Sequence, residues 1–179
     1  MKRLALTSCL WIAAVAAVGS AARAQPPAPG PEVQKLGYYV GTWKGEGEAK
    51  AGPFGPAGKL SSTTTCEWFA GGFQVVCRGE ESGPTGKQTF LGIRAYDAAA
   101  KAYTEYGITS FGKTEYTTGG TLVDNRRTFV VKTENEGKPL TLRYTEVQLS
   151  PTLFTFQAEA AIDNGAWATI AEGKVTKVE

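Results

Sequence analysis

The sequence predicts an all-β protein, a single antiparallel up-and-down barrel of about ten strands with a short N-terminal helical turn. Three observations carry that expectation. Runs of strand length, rich in Thr, Val and aromatic residues, recur every ten or so positions, and the breaks between them are short and rich in Gly, Pro or Asn. Past residue 39 there is almost no helical periodicity. Hairpins whose turns fix a register each give one apolar and one polar face, and strands with a single apolar face suit a closed cylinder.

The chain of 179 residues opens with the pattern of an export leader. Lys2 and Arg3 precede a mostly apolar stretch, 4–18, too short to span a bilayer, and Ala22-Arg23-Ala24 is a small-x-small cleavage site. Residues 1–24 are expected to leave as a signal peptide, taking Cys9 and the single methionine with them. The remainder is long enough for one domain with its own core. Of 19 basic residues, Lys2, Arg3 and Arg23 depart, which leaves 16 against 17 acidic ones. With no basic run left, nucleic acid and anionic membrane are not expected partners. No later segment is apolar for long enough to span a membrane, and the destination is periplasmic or secreted. Residues 25–31 (QPPAPGP) read as a Pro-rich tether and 32–179 as the barrel domain, with a helical segment over 32–39.

Strands are expected over 41–50, 59–69, 73–81, 87–96, 102–110, 113–123, 126–134, 139–149, 152–162 and 167–177. The second and third meet at Gly71-Gly72, which can both take the positive φ of a tight two-residue turn and so set Cys66 opposite Cys77. These are the two cysteines left after cleavage, and in an oxidising compartment they are expected to pair, the alternative being two reduced thiols on one face. A two-residue turn makes them a hydrogen-bonded pair at a bridgeable Cα separation, worth about 3 kcal/mol.

Three further hairpins give faces. Asn164-Gly165 is a preferred type I′ pair and sets Ile162 against Trp167, Ala160 against Thr169, Ala158 against Ala171, Phe156 against Gly173 and Phe154 against Val175. Around Glu136-Gly137, Val131 faces Leu142 and Phe129 faces Tyr144. Around residues 98–101, Leu91 faces Ile108 and Ile93 faces Tyr106, and these apolar pairs are expected inside. Arg94 and Glu105 then form an exposed cross-strand ion pair worth about 0–1 kcal/mol. Arg78, Arg94, Arg143 and Lys174 all alternate outward on this reading, as do Glu67, Glu159 and Glu172.

Gly41-Thr42-Trp43, leading into Gly45 and Gly47, resembles the opening strand of lipocalin-like (calycin) and nitrobindin-type ten-stranded barrels. The resemblance implies that Trp43 plugs one end. The ordered segments GTWKGEGEA, CEWFAGGFQVVCRGE, FLGIRAYD and FTFQAEAAIDNGAWATIAEGKVTK resemble an exported bacterial family of unknown function with a lipocalin-like barrel. A haem-binding relative would need an axial histidine, which this chain lacks.

The absent histidine removes Ser-His-Asp and Cys-His catalysis and imidazole zinc sites. No cofactor is expected, neither haem nor zinc, and no catalytic residue is assigned. One acid stands apart. Apolar residues fall at 140, 142 and 144 and then at 147 and 149, a parity break implying a β-bulge near Thr145-Glu146. Such a bulge either turns Glu146 to the interior rim or leaves it a solvated acid. The inner face of the last two strands and the first is mostly small (Ala158, Ala160, Ala171, Gly173, Gly45, Gly47), which suggests a cavity, unless the small residues match large ones opposite. The expected function is therefore binding of a small apolar or neutral molecule inside the barrel, with Trp43, Trp68, Tyr106, Tyr144, Glu146, Phe156, Trp167 and Thr169 as candidate lining. Two readings compete with it, an interaction module with a filled core and a carboxylate-dependent enzyme.

Overall fold

The computed structural model describes residues 28–179 except Pro53 and Glu136. The expected leader, 1–24, and residues 25–27 of the Pro-rich stretch lie outside these. A four-residue helix α1 (Pro31–Gln34) runs into a 3-10 turn (Lys35–Tyr39), and ten strands follow. They are β1 (Gly41–Ala49), β2 (Gly58–Trp68), β3 (Gln74–Gly83), β4 (Gly86–Asp97), β5 (Ala102–Thr109), β6 (Thr114–Val123), β7 (Arg126–Asn135), β8 (Lys138–Ser150), β9 (Leu153–Ile162) and β10 (Ala168–Lys177). Each pairs antiparallel with its sequence neighbours, and β1 closes on β10. The fold is thus a closed, ten-stranded antiparallel barrel. Among the described residues no helix is long and apolar enough to cross a membrane.

The N-terminal segment stoppers one end. Leu36 and Tyr39 pack into a buried cluster with Cys66, Val75, Cys77, Tyr103 and Phe129. Trp43 lies beside them, 3% exposed, its indole N–H donating to the Tyr39 carbonyl at 2.7 Å and its ring meeting Phe154 edge to face. The Tyr103 hydroxyl donates to the Glu32 carboxylate at 2.8 Å and so pins α1 to the wall. The β1–β2, β3–β4, β5–β6, β7–β8 and β9–β10 connections lie together at the other end, the mouth.

Cys66 and Cys77 form a disulfide inside the stoppered end. The hairpin that carries them differs from the expected one. Phe69 N–H donates to the Gln74 carbonyl and Gly72 N–H to that of Phe69, so four residues rather than two make the loop. That shifts the hydrogen-bonded positions by one and makes Cys66 and Cys77 a non-hydrogen-bonded pair, their Cα atoms 4.0 Å apart.

The β9–β10 hairpin also corrects the expected register at its tip. Asp163 and Asn164 take the left-handed conformation and Gly165 N–H closes onto Ile162, so the turn forms one residue early. Ala160 pairs with Ala168 and Thr169 with Glu159, and a bulge before Ala171 restores the expected Ala158–Ala171, Phe156–Gly173 and Phe154–Val175 pairs.

The largest correction concerns which face is inside. The β4–β5 register is as expected, with Leu91 opposite Ile108, Ile93 opposite Tyr106 and Arg94 opposite Glu105. The faces are reversed. In the β3–β4 ladder Val75 and Cys77 stand opposite Arg94 and Gly92. Arg94 and Glu105 therefore share the inner face with the disulfide, while Tyr106 and Ile108 point outward, 39% and 40% exposed.

Candidate functional site

The inward turn of β4 and β5 brings four charges together above the stopper. Arg127 of β7, 1% exposed, donates from Nη2 to Glu105 Oε2 at 2.8 Å and from Nη1 to Glu146 Oε2 at 3.1 Å. Arg94 of β4 donates from Nη2 to Glu146 Oε1 at 3.3 Å and lies 3.5 Å from Glu105 through Nε. Plus and minus alternate around this ring, so the buried set is neutral. Tyr39 joins it from the stopper, its hydroxyl donating to Glu146 Oε2 at 2.6 Å. The Arg94 guanidinium lies 4.0 Å from the centre of the Tyr39 ring, and that of Arg127 4.2 Å from Phe129.

Burial alone would raise the Glu146 carboxyl, but Arg94, Arg127 and the Tyr39 hydroxyl outweigh it and hold it down to about 2. Burial and the Glu146 charge push the Tyr39 hydroxyl well above the usual tyrosine range. Arg94 Nε and Nη1 and Arg127 Nε are buried without a hydrogen-bond acceptor. The ring is a floor, with Glu146 fully committed to its partners and held ionised, which suits neither a general acid nor a free nucleophile.

Above the floor the wall changes character. Glu105 is 31% exposed, and Tyr144 of β8 faces the same space, 36% exposed. Burial and then the charges of Glu115, Glu81 and Glu105 push the Tyr144 hydroxyl up to about 12. Burial and the Glu105 charge likewise raise the Glu115 carboxyl, only partly countered by the Thr117 hydroxyl. Carboxylates of β3, β5 and β6 thus act together on the Tyr144 hydroxyl.

Glycines show where the interior is full and where it is open. A Cβ on Gly173 would sit 2.6 Å from the Phe156 ring, one on Gly47 2.9 Å from it, and one on Gly79 2.8 Å from Phe90. The small wall of β9, β10 and β1 is therefore filled by Phe156, against the cavity expected there. Gly92 is buried as well, yet a Cβ there would meet nothing nearer than 3.9 Å, and one on Gly107 nothing nearer than 4.0 Å. The room lies on the β4–β5 wall, beside Glu105.

The candidate lining residues separate accordingly. Tyr144 and Phe156 face the lumen. Glu146 is interior too, but no bulge turns it there: β7–β8 pairing runs unbroken from Lys138 to Val147, and the β8–β9 irregularity comes later, between Gln148 and Ser150. Trp43 belongs to the stopper, and Trp68 packs against Gly37 at its rim. Tyr106, Trp167 and Thr169 are outside. The Trp167 ring carries the Arg143 guanidinium at 4.2 Å, Arg143 pairs with Glu159 at 2.7 Å, and the Thr169 hydroxyl accepts from Gln157 at 3.1 Å. Arg127 and Glu115 were not singled out from the sequence, although the same alternation that sets Phe129 inside also sets Arg127 there. A hollow of about 570 Å³ opens on the outer wall across β7 to β10 and β1 and mixes Glu46, Glu172, Arg126 and Lys174. Among the described residues no three metal-ligating side chains cluster.

A closed ten-stranded antiparallel barrel with one end stoppered is the architecture of the lipocalin-like proteins. The chain belongs to the protein family of unknown function DUF1579, whose pattern matches residues 28–177. Its fold is similar to that of Rv2717c from M. tuberculosis, at 12% identity and a TM-score of 0.58 over 84% of this chain and 99% of that one. It is also similar to the S-type phycobiliprotein lyase CPES from Guillardia theta, at 12% identity and a TM-score of 0.52 over 82% and 92% of the two chains. No curated protein sequence matches the chain.

Proposed function

We propose that this barrel binds a small molecule in the upper lumen, with an apolar body and a head that is cationic or donates hydrogen bonds. The observation that carries the reading is the room beside buried Gly92, next to the half-exposed carboxylate of Glu105. Phe90 and Phe156 offer an apolar surface, and Glu105, Glu115 and Glu81 offer acceptors to a head group. The inner arginines do not favour an anionic ligand, because Glu105 and Glu146 neutralise them. The export of the chain to the periplasm or beyond belongs to the same proposal. A disulfide is compatible with an oxidising compartment, and N-terminal sequencing of protein from its own host is expected to begin at Gln25.

Matched phenylbutylamine, phenylbutanol and phenylbutyrate test the lumen by thermal shift. The amine is expected to raise the melting temperature most, the alcohol less and the carboxylate not at all. Gly92→Leu, which grows a side chain into the free room, is expected to abolish the response while the protein still melts cooperatively. If none of the three compounds shifts wild-type melting, or Gly92→Leu responds as the wild type does, the reading fails. One observation favours an interaction module instead, the outward row of Tyr106, Ile108 and Tyr116, the last 64% exposed. Sedimentation that shows a concentration-dependent dimer lost in Tyr106→Lys would support it.

A further inference from the structure

The barrel wall is not equally closed all round. The β6–β7 ladder holds three residue pairs, Thr121–Thr128, Leu122–Arg127 and Val123–Arg126, whereas every other neighbouring pair of strands shares five or more. Toward the mouth, residues 114–120 of β6 and 129–135 of β7 run on with no pairing between them. The cause is local. The β5–β6 ladder jumps from Glu105–Thr117 to Tyr103–Gly120, so Thr118 and Gly119 together oppose the single residue Thr104, and Gly119 takes a φ of +72° that a side chain would resist. Gly120 keeps the base of the fork narrow, since the Phe129 ring occupies the place of its missing side chain. The bulge swings β6 away from β7 and leaves two strand edges facing one another across a cleft of about 400 Å³.

The cleft is lined by residues of both faces of the wall. Thr117 and Val131 belong to the inner faces of their strands, while Tyr116, Thr118, Val130 and Lys132 belong to the outer faces. Thr117 stands directly opposite Glu105, beside the free room of the lumen.

We infer that this seam is a lateral door through which the lumen exchanges its ligand, and that it selects long or flat molecules. The inference rests on the lumen-binding reading above. Paired strands lie about 4.8 Å apart, so a slot made by parting two of them admits an alkyl chain or a ring edge-on and turns away a globular molecule. The unpaired N–H and C=O groups on its two edges give polar substituents a path through.

The test bridges the door. Thr118→Cys and Lys132→Cys, both on the outer lips, are linked with a flexible bis-maleimide in protein whose native disulfide is intact. Exchange of dansylcadaverine, a fluorescent apolar ring on an amine tail, is followed by stopped-flow. The bridged protein is expected to take up and release the probe at least tenfold more slowly than either single variant capped with a monofunctional maleimide, at unchanged equilibrium affinity. Capped-variant rates in the bridged protein, with affinity retained, overturn the door and leave the lumen reading standing, with exchange at the mouth. Failure of the unmodified protein to bind the probe overturns the lumen reading and the door with it.

Discussion

Arg127 serves two carboxylates at once from a position that water does not reach, so its removal strands both Glu105 and Glu146. Arg127→Met is expected to destabilise the fold by about 3–5 kcal/mol in urea denaturation, the usual cost of breaking a buried pair from one side. Adding Glu146→Gln to it should recover part of that loss, because the stranded charge goes too. Acid tests the same residue. The Glu146 carboxyl titrates near 2 in the folded chain against an ordinary 4.5, so its contribution is complete above about 4.5 and is lost as the pH falls from there toward 2. That contribution is about 3 kcal/mol, and Glu146→Gln should flatten the stability profile in this window. Glu115 has the opposite sign. Its carboxyl is raised, so it favours the fold when protonated and opposes it once the pH climbs through its folded value. Glu115→Gln is expected to raise the melting temperature at neutral pH and to leave it unchanged in acid.

Glycine substitutions discriminate between the two walls of the barrel at the level of the strands. Gly173→Ala on β10 must displace the Phe156 ring and the neighbouring Glu46 carbonyl and should cost several degrees of melting temperature, whereas Gly107→Ala on β5 meets only the Leu91 carbonyl, at 4.0 Å, and should be nearly neutral. Replacing Cys66 and Cys77 by Ser should cost about 3 kcal/mol by freeing the unfolded chain. All ten strands were legible from turn residues and alternation to within two residues at either end. The candidate site was less so, for a specific reason. Choosing the apolar side of each hairpin as its inside works for β7 to β10, but on β4 and β5 the outward Leu91, Ile93, Tyr106 and Ile108 are more apolar than the inward Gly92, Arg94, Glu105 and Gly107. The deciding signal was the Pro84-Thr85 turn. A two-residue loop there sets Cys77 opposite Gly92, which carries Arg94 to the side of the disulfide. The bulges beside Gly119 and Ile170 have no comparable mark in the sequence, since each depends on how neighbouring strands share the curvature of the cylinder.

For the whole molecule, the meeting of β1 with β10 sets when the cylinder can exist at all. Seven residue pairs from Trp43–Lys177 to Ala49–Ala171 join the two extremes of the barrel sequence, and Thr42 donates its N–H to the Glu179 carbonyl at 2.9 Å. No local contact can substitute for that ladder, and the entropy of closing so long a loop must be met before it forms. Refolding from urea with the disulfide intact is therefore expected in the millisecond-to-second range of non-local β topologies. A single kinetic phase shared by Trp fluorescence and circular dichroism would support it, and a submillisecond phase carrying most of the amplitude would count against it. A chain whose tenth strand has not yet docked presents β1 and β9 as two bare edges, the form in which β-proteins pair with one another. The last strand is thus a latch. Weakening it, for example by Val175→Asp against Phe154, should show first as aggregation of newly made protein and only later as a lower melting temperature.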